Sequence, residues 1–237
     1  MQIKLIIFDL DGTLLNTLED LADSGNYMLS RYGFPQHPLS SYRYFVGNGI
    51  QKLVERILPY DKRELAFILK FKKEFITYYD LHKSDKTTPY SGIIPLLENL
   101  QKRKIKLAVA SNKSHEVMHD LMRFYFPTVT FSTVLGQRPE IPTKPDPRIV
   151  YDILEITQIA KENTLYVGDT SVDILTAKNA GLKSVGVLWG FRDRDELPIT
   201  NNLADPITNA LRNSEFLLVI CSPRLKESLW CRKEIET

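Results

Sequence analysis

The pattern of apolar and polar positions predicts a protein in which strands and helices alternate. Five of the six residues from Ile3 to Phe8 are apolar and prone to β structure, which predicts a strand buried on both faces. Further strands are predicted at 106–110, 130–135, 164–167 and 184–188, and the helices between them at 94–103, 114–124, from about 146, and 171–180. This alternation is typical of a parallel, doubly wound sheet.

Residues 16–84 lack this alternation and have apolar side chains at helical spacing. Longer helices are predicted at 18–32 and 62–81, and shorter ones at 40–46 and 49–58. We therefore predict an α/β fold with a small all-helical cap domain inserted after the first strand. The predicted domains are a core formed by residues 1–15 and 85–211, a cap of residues 16–84, and a C-terminal appendage of residues 212–237.

The composition is that of an ordinary globular protein. The chain has 237 residues, of which 43% are hydrophobic and 25% charged, and its formal net charge of +2 does not decide on a nucleic-acid partner. The basic run at 102–106 is interpreted as a solvated helix end, so no nucleic acid is expected. Cys221 and Cys231 match no metal motif. Without a signal-peptide pattern or an apolar stretch of about 18 residues, we expect a cytoplasmic protein with no membrane partner.

Two aspartates mark the end of the first strand. Asp9 and Asp11 follow the apolar run, and Gly12 lets the backbone turn tightly after them. Carboxylates at the carboxyl end of a buried strand favour chemistry, because α/β sheets bind ligands there. Two like charges this close need a cation, a shared proton or a shifted pKa. A polar strand end that only caps a turn is the alternative.

Other polar residues recur at the predicted strand ends. Ser111 and Asn112 follow one strand, Asp169 follows another with Asp173 four residues on, and Lys144 precedes a helix. In a parallel sheet these ends share one edge, so the side chains are expected to converge on a site for a divalent cation and a phosphate. The alternatives are a helix N-cap for Ser111, a first-turn helix residue for Asp173 and a surface position for Lys144.

The order and spacing of these motifs resemble those of the haloacid dehalogenase (HAD) superfamily. Asp9-Leu10-Asp11-Gly12-Thr13, Ser111-Asn112, Lys144-Pro145 and Gly168-Asp169-x-x-x-Asp173 are similar to its four motifs in order. The helical insertion is similar to the small cap of the phosphoglycolate phosphatase-like subfamily, and the likeness covers about residues 1–211. It implies a magnesium-dependent phosphatase, with Mg²⁺ as cofactor and a small phosphorylated metabolite as its partner.

The resemblance also implies a role for each residue. Asp9 would attack phosphorus and form an aspartyl-phosphate, while Asp11 would protonate the leaving alkoxide and then activate water. True dehalogenases lack the aspartate at the position of Asp11, which favours phosphoryl transfer. The implied metal ligands are the Asp9 carboxylate, the Asp11 backbone carbonyl and Asp169, with Asp173 in support. The implied phosphate-binding residues are Ser111, Asn112 and Lys144, and Lys144 would also orient Asp9.

A glycine-containing segment of the cap is the candidate for substrate specificity. Residues 42–49 resemble the Val-Gly-x-Gly turn of phosphoglycolate phosphatases, which faces the active site. The implied specificity residues are Arg43, Gly47, Asn48 and Gly49, whose backbone amides would meet the carboxylate of a small acid. An ordinary turn between two helices is the alternative.

Several other functions remain open at this point. An inorganic pyrophosphatase or a nucleotide phosphatase with the same core and cap is a close rival. A phosphate-transferring mutase is less favoured, because the cap offers no clear residues for a second sugar phosphate. The intact acidic set argues against a non-catalytic scaffold. The oligomeric state is not predicted.

The C-terminal segment does not fit the phosphatase pattern. Residues 203–207 resemble the last edge segment of the core, whereas residues 213–235 resemble the middle of a bacterial TIR domain. About 25 residues are too few for that domain, which argues against a TIR-linked signalling protein. A fused fragment, an artefact of gene prediction, a docked tail, or an ordinary strand at 216–220 with a helix are the alternatives. We assign this segment no function.

Overall fold

The computed structural model describes residues 3–193 and Leu197. In chain order its elements are β1 (Leu5–Phe8), β2 (Leu15–Asn16), α1 (Leu18–Arg31), α2 (Leu39–Phe45), α3 (Ile50–Ile57), α4 (Leu65–His82), β3 (Thr88–Pro89), α5 (Ile93–Lys102), β4 (Lys106–Ser114), α6 (His115–Tyr125), β5 (Thr133–Gln137), α7 (Arg148–Thr157), β6 (Thr164–Gly168), α8 (Ser171–Ala180) and β7 (Lys183–Gly186). Short 3₁₀ helices span Tyr60–Lys62 and Lys161–Asn163.

The central sheet has five parallel strands in the order β5-β4-β1-β6-β7. β1 is in the middle, and its Ile7 pairs with Ala108 of β4 and Tyr166 of β6. Parallel strands need crossover connections, and the helices between the strands provide them. The predicted α/β fold with a parallel sheet is confirmed.

The sheet is covered by helices on both faces. Because side chains alternate along a strand, Ile6 and Phe8 pack into one apolar cluster and Leu5 and Ile7 into another. The first cluster contains side chains of α5 and α6, and the second contains side chains of α7 and α8. Burial on both faces explains why β1 is a continuous apolar run rather than an alternating one.

Some element boundaries differ from the predicted ones. β1 begins at Leu5, two residues later than expected, and β4 continues to Ser114 with an irregular register after Ala110. α7 begins at Arg148, so the predicted start of this helix near Asp146 was too early. Asp146 nevertheless accepts the Arg148 N–H at 2.9 Å, because the carboxylate reaches over the intervening residue.

The four longer helices between β2 and β3 form a separate layer at the end of the sheet. α1 packs against α2 and α4, and α3 packs against α2 and α4. Its centre contains the fully buried rings of Tyr42, Phe71 and Phe75. β2 and β3 pair in antiparallel fashion, with Leu15 opposite Pro89, so the chain leaves and re-enters the sheet side by side. The domain boundaries themselves stay a prediction.

Predictions for the C-terminal part of the chain fall on residues that the structure does not describe. The segment at 203–207, the appendage of residues 212–237 with its TIR-like stretch, and both cysteines lie outside the described residues. Among the helices that the structure describes, none has the length and apolar character needed to cross a membrane.

Candidate active site

Asp9, Ser111 and Asp169 lie close together at one edge of three adjacent strands. Asp9 and Asp169 directly follow β1 and β6, and Ser111 lies in β4 just after its regular pairing with β5 stops at Ala110. β1 lies between β4 and β6, and the Asp9 N–H continues the ladder by donating to the carbonyl of Val167 at 2.9 Å. All three side chains are buried. The predicted convergence at the carboxyl edge of the sheet is therefore present in the structure.

Lys144 reaches the same point from the loop before α7. Its ammonium group lies 2.9 Å from Asp9 Oδ1 and donates to Asp173 Oδ1 at 2.7 Å. It also donates to the Ala110 carbonyl at 3.0 Å and to the Tyr166 hydroxyl at 3.1 Å. Burial alone would lower the pKa of Lys144, but Asp173 and then Asp9 raise it well above its usual range. Lys144 is therefore a buried, fully charged cation rather than a surface lysine.

Three carboxylates cluster beside this cation, and Lys144 forms ion pairs with two of them, Asp9 and Asp173. Oxygen atoms of Asp9, Asp169 and Asp173 all lie within 4.8 Å of one another. Burial, and then repulsion from Asp173, raises the pKa of Asp9 to about 7, although Lys144 opposes the shift. Burial, Asp173 and Asp9 likewise raise the pKa of Asp169 well above its usual range. Lys144 balances only one of three negative charges, so the cluster favours a further cation.

The donor set fits a divalent metal ion. Asp9 Oδ1 is buried and has no aligned hydrogen-bond donor among the described residues, because Lys144 approaches it as an ion pair off the hydrogen-bond direction. Asp169 is held in place by the Thr13 hydroxyl at 3.1 Å and the Phe191 N–H at 2.8 Å. Rigid carboxylate oxygens with an open lone pair suit Mg²⁺, which prefers oxygen ligands. Asp9 and Asp169 are the residues that would hold it.

Asp173 has a different position from the other two carboxylates. Its Oδ2 accepts the N–H and the hydroxyl of Thr170, which forms a capping box at the start of α8. Its Oδ1 accepts from Lys144. Both oxygens are therefore occupied by contacts within the protein. Asp173 caps the start of α8 through Oδ2 and contacts the site through Oδ1. The structure brings it to the edge of the candidate metal centre, where it orients Lys144.

The Asp11 carboxylate lies apart from the acidic cluster. Its Oδ1 accepts from the Thr17 hydroxyl at 2.7 Å and lies 3.0 Å from the ammonium group of Lys113. Lys113 was not among the residues singled out from the sequence. The only signal was its position directly after Ser111 and Asn112 at the end of an apolar strand.

Asn112 uses its side chain to hold backbone groups. Its Oδ1 accepts the Lys144 N–H at 2.8 Å, and its Nδ2 donates to the carbonyls of Lys144 and Gly47 at 3.1 Å each. Both amide hydrogens are used, so the side chain fixes the Lys144 loop and contacts the cap. Ser111 lies beside it, and its hydroxyl oxygen accepts the Lys113 N–H at 3.2 Å.

A cleft opens between these residues and the cap. It measures about 420 Å³ counted out to its open mouth. Its lining from the sheet side is Asp9, Asp11, Ser111, Asn112 and Lys113, and from the cap side Leu21, Val46, Gly47, Gly49, Ile50 and Leu53. The cap side is therefore apolar apart from the backbone of the glycine-containing turn.

The two glycines of that turn have conformations that favour glycine. Gly47 has φ +115° and Gly49 has φ +82°, and a Cβ on Gly49 would lie 3.4 Å from the Asn112 carbonyl. Gly49 precedes α3, whose first-turn N–H groups receive no side-chain cap. Asn48 is not part of the cleft lining, and its Oδ1 accepts from Arg56 at 2.8 Å.

The structure does not bring Arg43 into the cleft. Its Nε donates to the Phe191 carbonyl at 2.8 Å, and its Nη2 lies 3.5 Å from both the Gly190 carbonyl and Asp193. In return, Arg192 donates to the Val46 carbonyl at 3.1 Å. These two arginines connect the cap to the loop after β7. Because that loop also supplies the Phe191 N–H to Asp169, the cap contact adjoins the candidate metal centre.

The comparison with known proteins agrees with this geometry. A family model described as haloacid dehalogenase-like hydrolase matches residues 6–187. The chain belongs to the haloacid dehalogenase-like hydrolases. A phosphoglycolate phosphatase of Psychrobacter arcticus is 34% identical over 198 residues, which cover 81% of this chain and 86% of that protein. One from Mannheimia succiniciproducens is 32% identical over 210 residues, covering 86% and 93%.

Solved structures agree with this assignment. A phosphoglycolate phosphatase-like protein from Lactobacillus delbrueckii subsp. bulgaricus superposes with a TM-score of 0.79 at 30% identity, covering 83% of this chain and 90% of that one. The predicted family and fold class are therefore confirmed. The chain is an enzyme of the hydrolase class and belongs to the phosphoglycolate phosphatase-like group of HAD proteins.

Proposed function

We propose that this protein is a magnesium-dependent phosphatase that hydrolyses a small phosphomonoester through an aspartyl-phosphate on Asp9. The observation that supports it best is the buried ammonium group of Lys144, 2.9 Å from Asp9 Oδ1, beside the Asp169 and Asp173 carboxylates. This arrangement combines a nucleophile with charges that a phosphate dianion and a divalent cation would complete. The proposal extends the family assignment to a reaction and a mechanism.

The proposed reaction has two steps. An Asp9 carboxylate oxygen attacks phosphorus, the bond from phosphorus to the alcohol oxygen breaks, and Asp11 gives its proton to the departing alkoxide. Asp11 then takes a proton from water, whose oxygen attacks the aspartyl-phosphate. Inorganic phosphate leaves and Asp9 is restored. Lys144 and Ser111 hold the phosphoryl oxygens and stabilise the negative charge that develops on them.

Magnesium would be held by the Asp9 carboxylate, the Asp11 backbone carbonyl and Asp169. When bound, it supplies positive charge that screens the phosphate dianion from the attacking carboxylate. Asp173 acts through Lys144, which it holds at 2.7 Å.

We propose a small acid phosphate, similar to phosphoglycolate, as the substrate class. The cap side of the cleft offers apolar side chains and the backbone of residues 46–50, together with the uncapped N-terminus of α3. Backbone N–H groups at a helix start suit a carboxylate. Among the residues that line the cleft from the cap, none has a polar side chain that would pair with a nucleotide base. The relatives named phosphoglycolate phosphatase support the same class.

A substrate screen with matched variants tests this proposal. The purified protein would be assayed with Mg²⁺ and with a chelator against phosphoglycolate, pyrophosphate, nucleotides and sugar phosphates. We expect metal-dependent release of phosphate, fastest from phosphoglycolate. Asp9→Asn should lose activity by at least about 10³-fold, because the nucleophile is removed, whereas the exposed Asp61→Asn should keep it. A preference for pyrophosphate or nucleotides would refute the substrate class, and full activity of Asp9→Asn would refute the mechanism.

A further inference from the structure

Lys113 is a buried cation placed between the two layers of the molecule. It lies in β4, directly after Ser111 and Asn112, and only 2% of its side chain is exposed. A buried ammonium group is stable only when it is paired with an opposite charge and donates to hydrogen-bond acceptors. Its partners come from opposite directions, Asp11 from the sheet and Tyr79 from the cap helix α4.

The contact of Lys113 with Asp11 is short and involves only one of the two carboxylate oxygens. The Lys113 ammonium lies 3.0 Å from Asp11 Oδ1, and the Thr17 hydroxyl donates to the same oxygen at 2.7 Å. Among the described residues, both donors to the Asp11 carboxylate contact Oδ1 and none contacts Oδ2. Lys113 and Thr17 therefore fix the orientation of the carboxylate through one oxygen and leave the other for proton transfer.

The contact with Tyr79 ties this carboxylate to the cap. Lys113 Nζ donates to the Tyr79 hydroxyl at 2.7 Å. Tyr79 is 2% exposed and packs against Phe75 within the cap, with ring centroids 5.9 Å apart. Burial raises the pKa of Tyr79 to about 12, so the phenol remains neutral and accepts from the ammonium group. A movement of α4 away from the sheet would remove one of the two partners of Lys113.

We infer that Lys113 is a positioning residue, which sets the direction of the Asp11 carboxylate and couples it to the seating of the cap through Tyr79. The inference rests on the proposed function, because the direction of Asp11 matters only if Asp11 transfers the proton. Lys113 also lines the cleft, so direct binding of substrate is the competing explanation.

The two explanations differ in how the loss of activity depends on the leaving group. An alkoxide leaving group is strongly basic and needs the proton from Asp11, whereas p-nitrophenolate leaves readily without it. A misdirected Asp11 therefore harms hydrolysis of an alkyl phosphate more than that of p-nitrophenyl phosphate. Loss of a substrate-binding cation, or a general loss of structure, harms both.

The test compares kcat/KM for phosphoglycolate and p-nitrophenyl phosphate in a set of variants. Tyr79→Phe removes only the hydroxyl that Lys113 contacts. Tyr78→Phe is the matched control, because the Tyr78 ring stacks on Tyr27 away from the site. Lys113→Met removes the positive charge at this position, whereas Lys113→Arg keeps it. Asp11→Asn is the reference for complete loss of proton transfer.

In Tyr79→Phe and Lys113→Met, we expect kcat/KM for phosphoglycolate to fall about tenfold or more relative to kcat/KM for p-nitrophenyl phosphate. This loss is a part of the factor of about 10² to 10⁴ that general acid catalysis supplies. Lys113→Arg should recover part of the loss, and Tyr78→Phe should match the wild type. Adding Tyr79→Phe to Asp11→Asn should change the ratio no further, because both act on one proton transfer.

Equal losses on both substrates in Tyr79→Phe and Lys113→Met would overturn the inference. If the wild type is active, Asp9→Asn is inactive and the ratio does not change, then the proposed function stands and the role of Lys113 is wrong. If the wild type hydrolyses neither substrate with Mg²⁺, the proposed function fails and the inference fails with it.

Discussion

The electrostatic account of the site predicts that Asp9→Asn stabilises the metal-free protein. Asp9 lies in a buried cluster with Asp169 and Asp173, and Lys144 forms ion pairs with Asp9 and Asp173. Its pKa is raised from 3.8 to about 7, so the folded state holds a proton that the unfolded chain releases at lower pH. The wild type therefore loses stability as the pH rises from about 4 to about 7. Asparagine carries no charge at this position, so Asp9→Asn should not lose stability in this way as the pH rises.

The raised pKa sets the upper limit of the effect. At about 1.4 kcal/mol for each pH unit, ionising Asp9 above pH 7 destabilises the folded state by up to about 4 kcal/mol. The pKa of about 7 already includes the attraction of Lys144. Burying an amide without full hydrogen bonding costs about 1–3 kcal/mol, so we expect a net gain of about 1–3 kcal/mol at pH 8. For a protein of this size, each kcal/mol raises Tm by about 2–4 °C. At pH 5 the gain should shrink, because wild-type Asp9 is then mostly protonated.

Thermal unfolding with a chelator at pH 5 and pH 8, followed by far-UV circular dichroism, measures this difference. Asp61→Asn, at an exposed position in the 3₁₀ helix of the cap, is the matched control and should not move Tm. Saturating Mg²⁺ should stabilise the wild type more than Asp9→Asn, because a ligand stabilises the state that binds it. A lower Tm for Asp9→Asn than for the wild type at pH 8 without metal would refute the reasoning.

Three further predictions follow from the same geometry. Mg²⁺ should bind more tightly as the pH rises through about 7, because the raised pKa of Asp9 means that metal binding releases a proton. Isothermal titration calorimetry in two buffers measures the affinity and the released proton, and a pH-independent affinity would contradict the prediction. Gly12→Ala should reduce Mg²⁺-dependent activity by about 10²-fold, because a Cβ at φ +88° would overlap the Asp169 carboxylate and displace it from the metal site. Gly33→Ala, at φ +70° with open space around it, is the control and should keep activity. Arg43→Ala should speed amide hydrogen exchange at residues 190–193, since it removes the contacts between cap and loop; unchanged exchange would show that the contact is unimportant.

The parallel sheet made the centre of the site predictable from the sequence. Strands that run in one direction bring their carboxyl ends to one edge, so Asp9, Ser111 and Asp169 converge as their positions after apolar runs predicted. Lys144 was predictable as the cation of the same edge. Their chemical roles stay predictions, which the experiments above address.

The contacts between the cap and the sheet were not predictable in the same way. Lys113 pairs with Asp11 and Tyr79, which are 102 and 34 residues away in the chain, and no local pattern encodes such a meeting. Arg43 has the right residue type for a substrate cation, but the packing of α2 places it against the loop at 190–193. The sequence pattern identifies helices, whereas the way they dock depends on side-chain shapes that only the folded structure brings together.

The central claim is that Asp9 becomes covalently phosphorylated during turnover. The direct measurement is to quench the protein with Mg²⁺ and phosphoglycolate in acid, reduce the acyl phosphate with borohydride, and locate the resulting homoserine by peptide mass spectrometry. With p-nitrophenyl phosphate as substrate, whose leaving group needs no proton from Asp11, Asp11→Asn should accumulate more of the intermediate, because the variant lacks the base that activates water. We predict conversion at Asp9 and none in Asp9→Asn. Conversion at another residue, or turnover without any trapped acyl phosphate in either protein, would contradict the account.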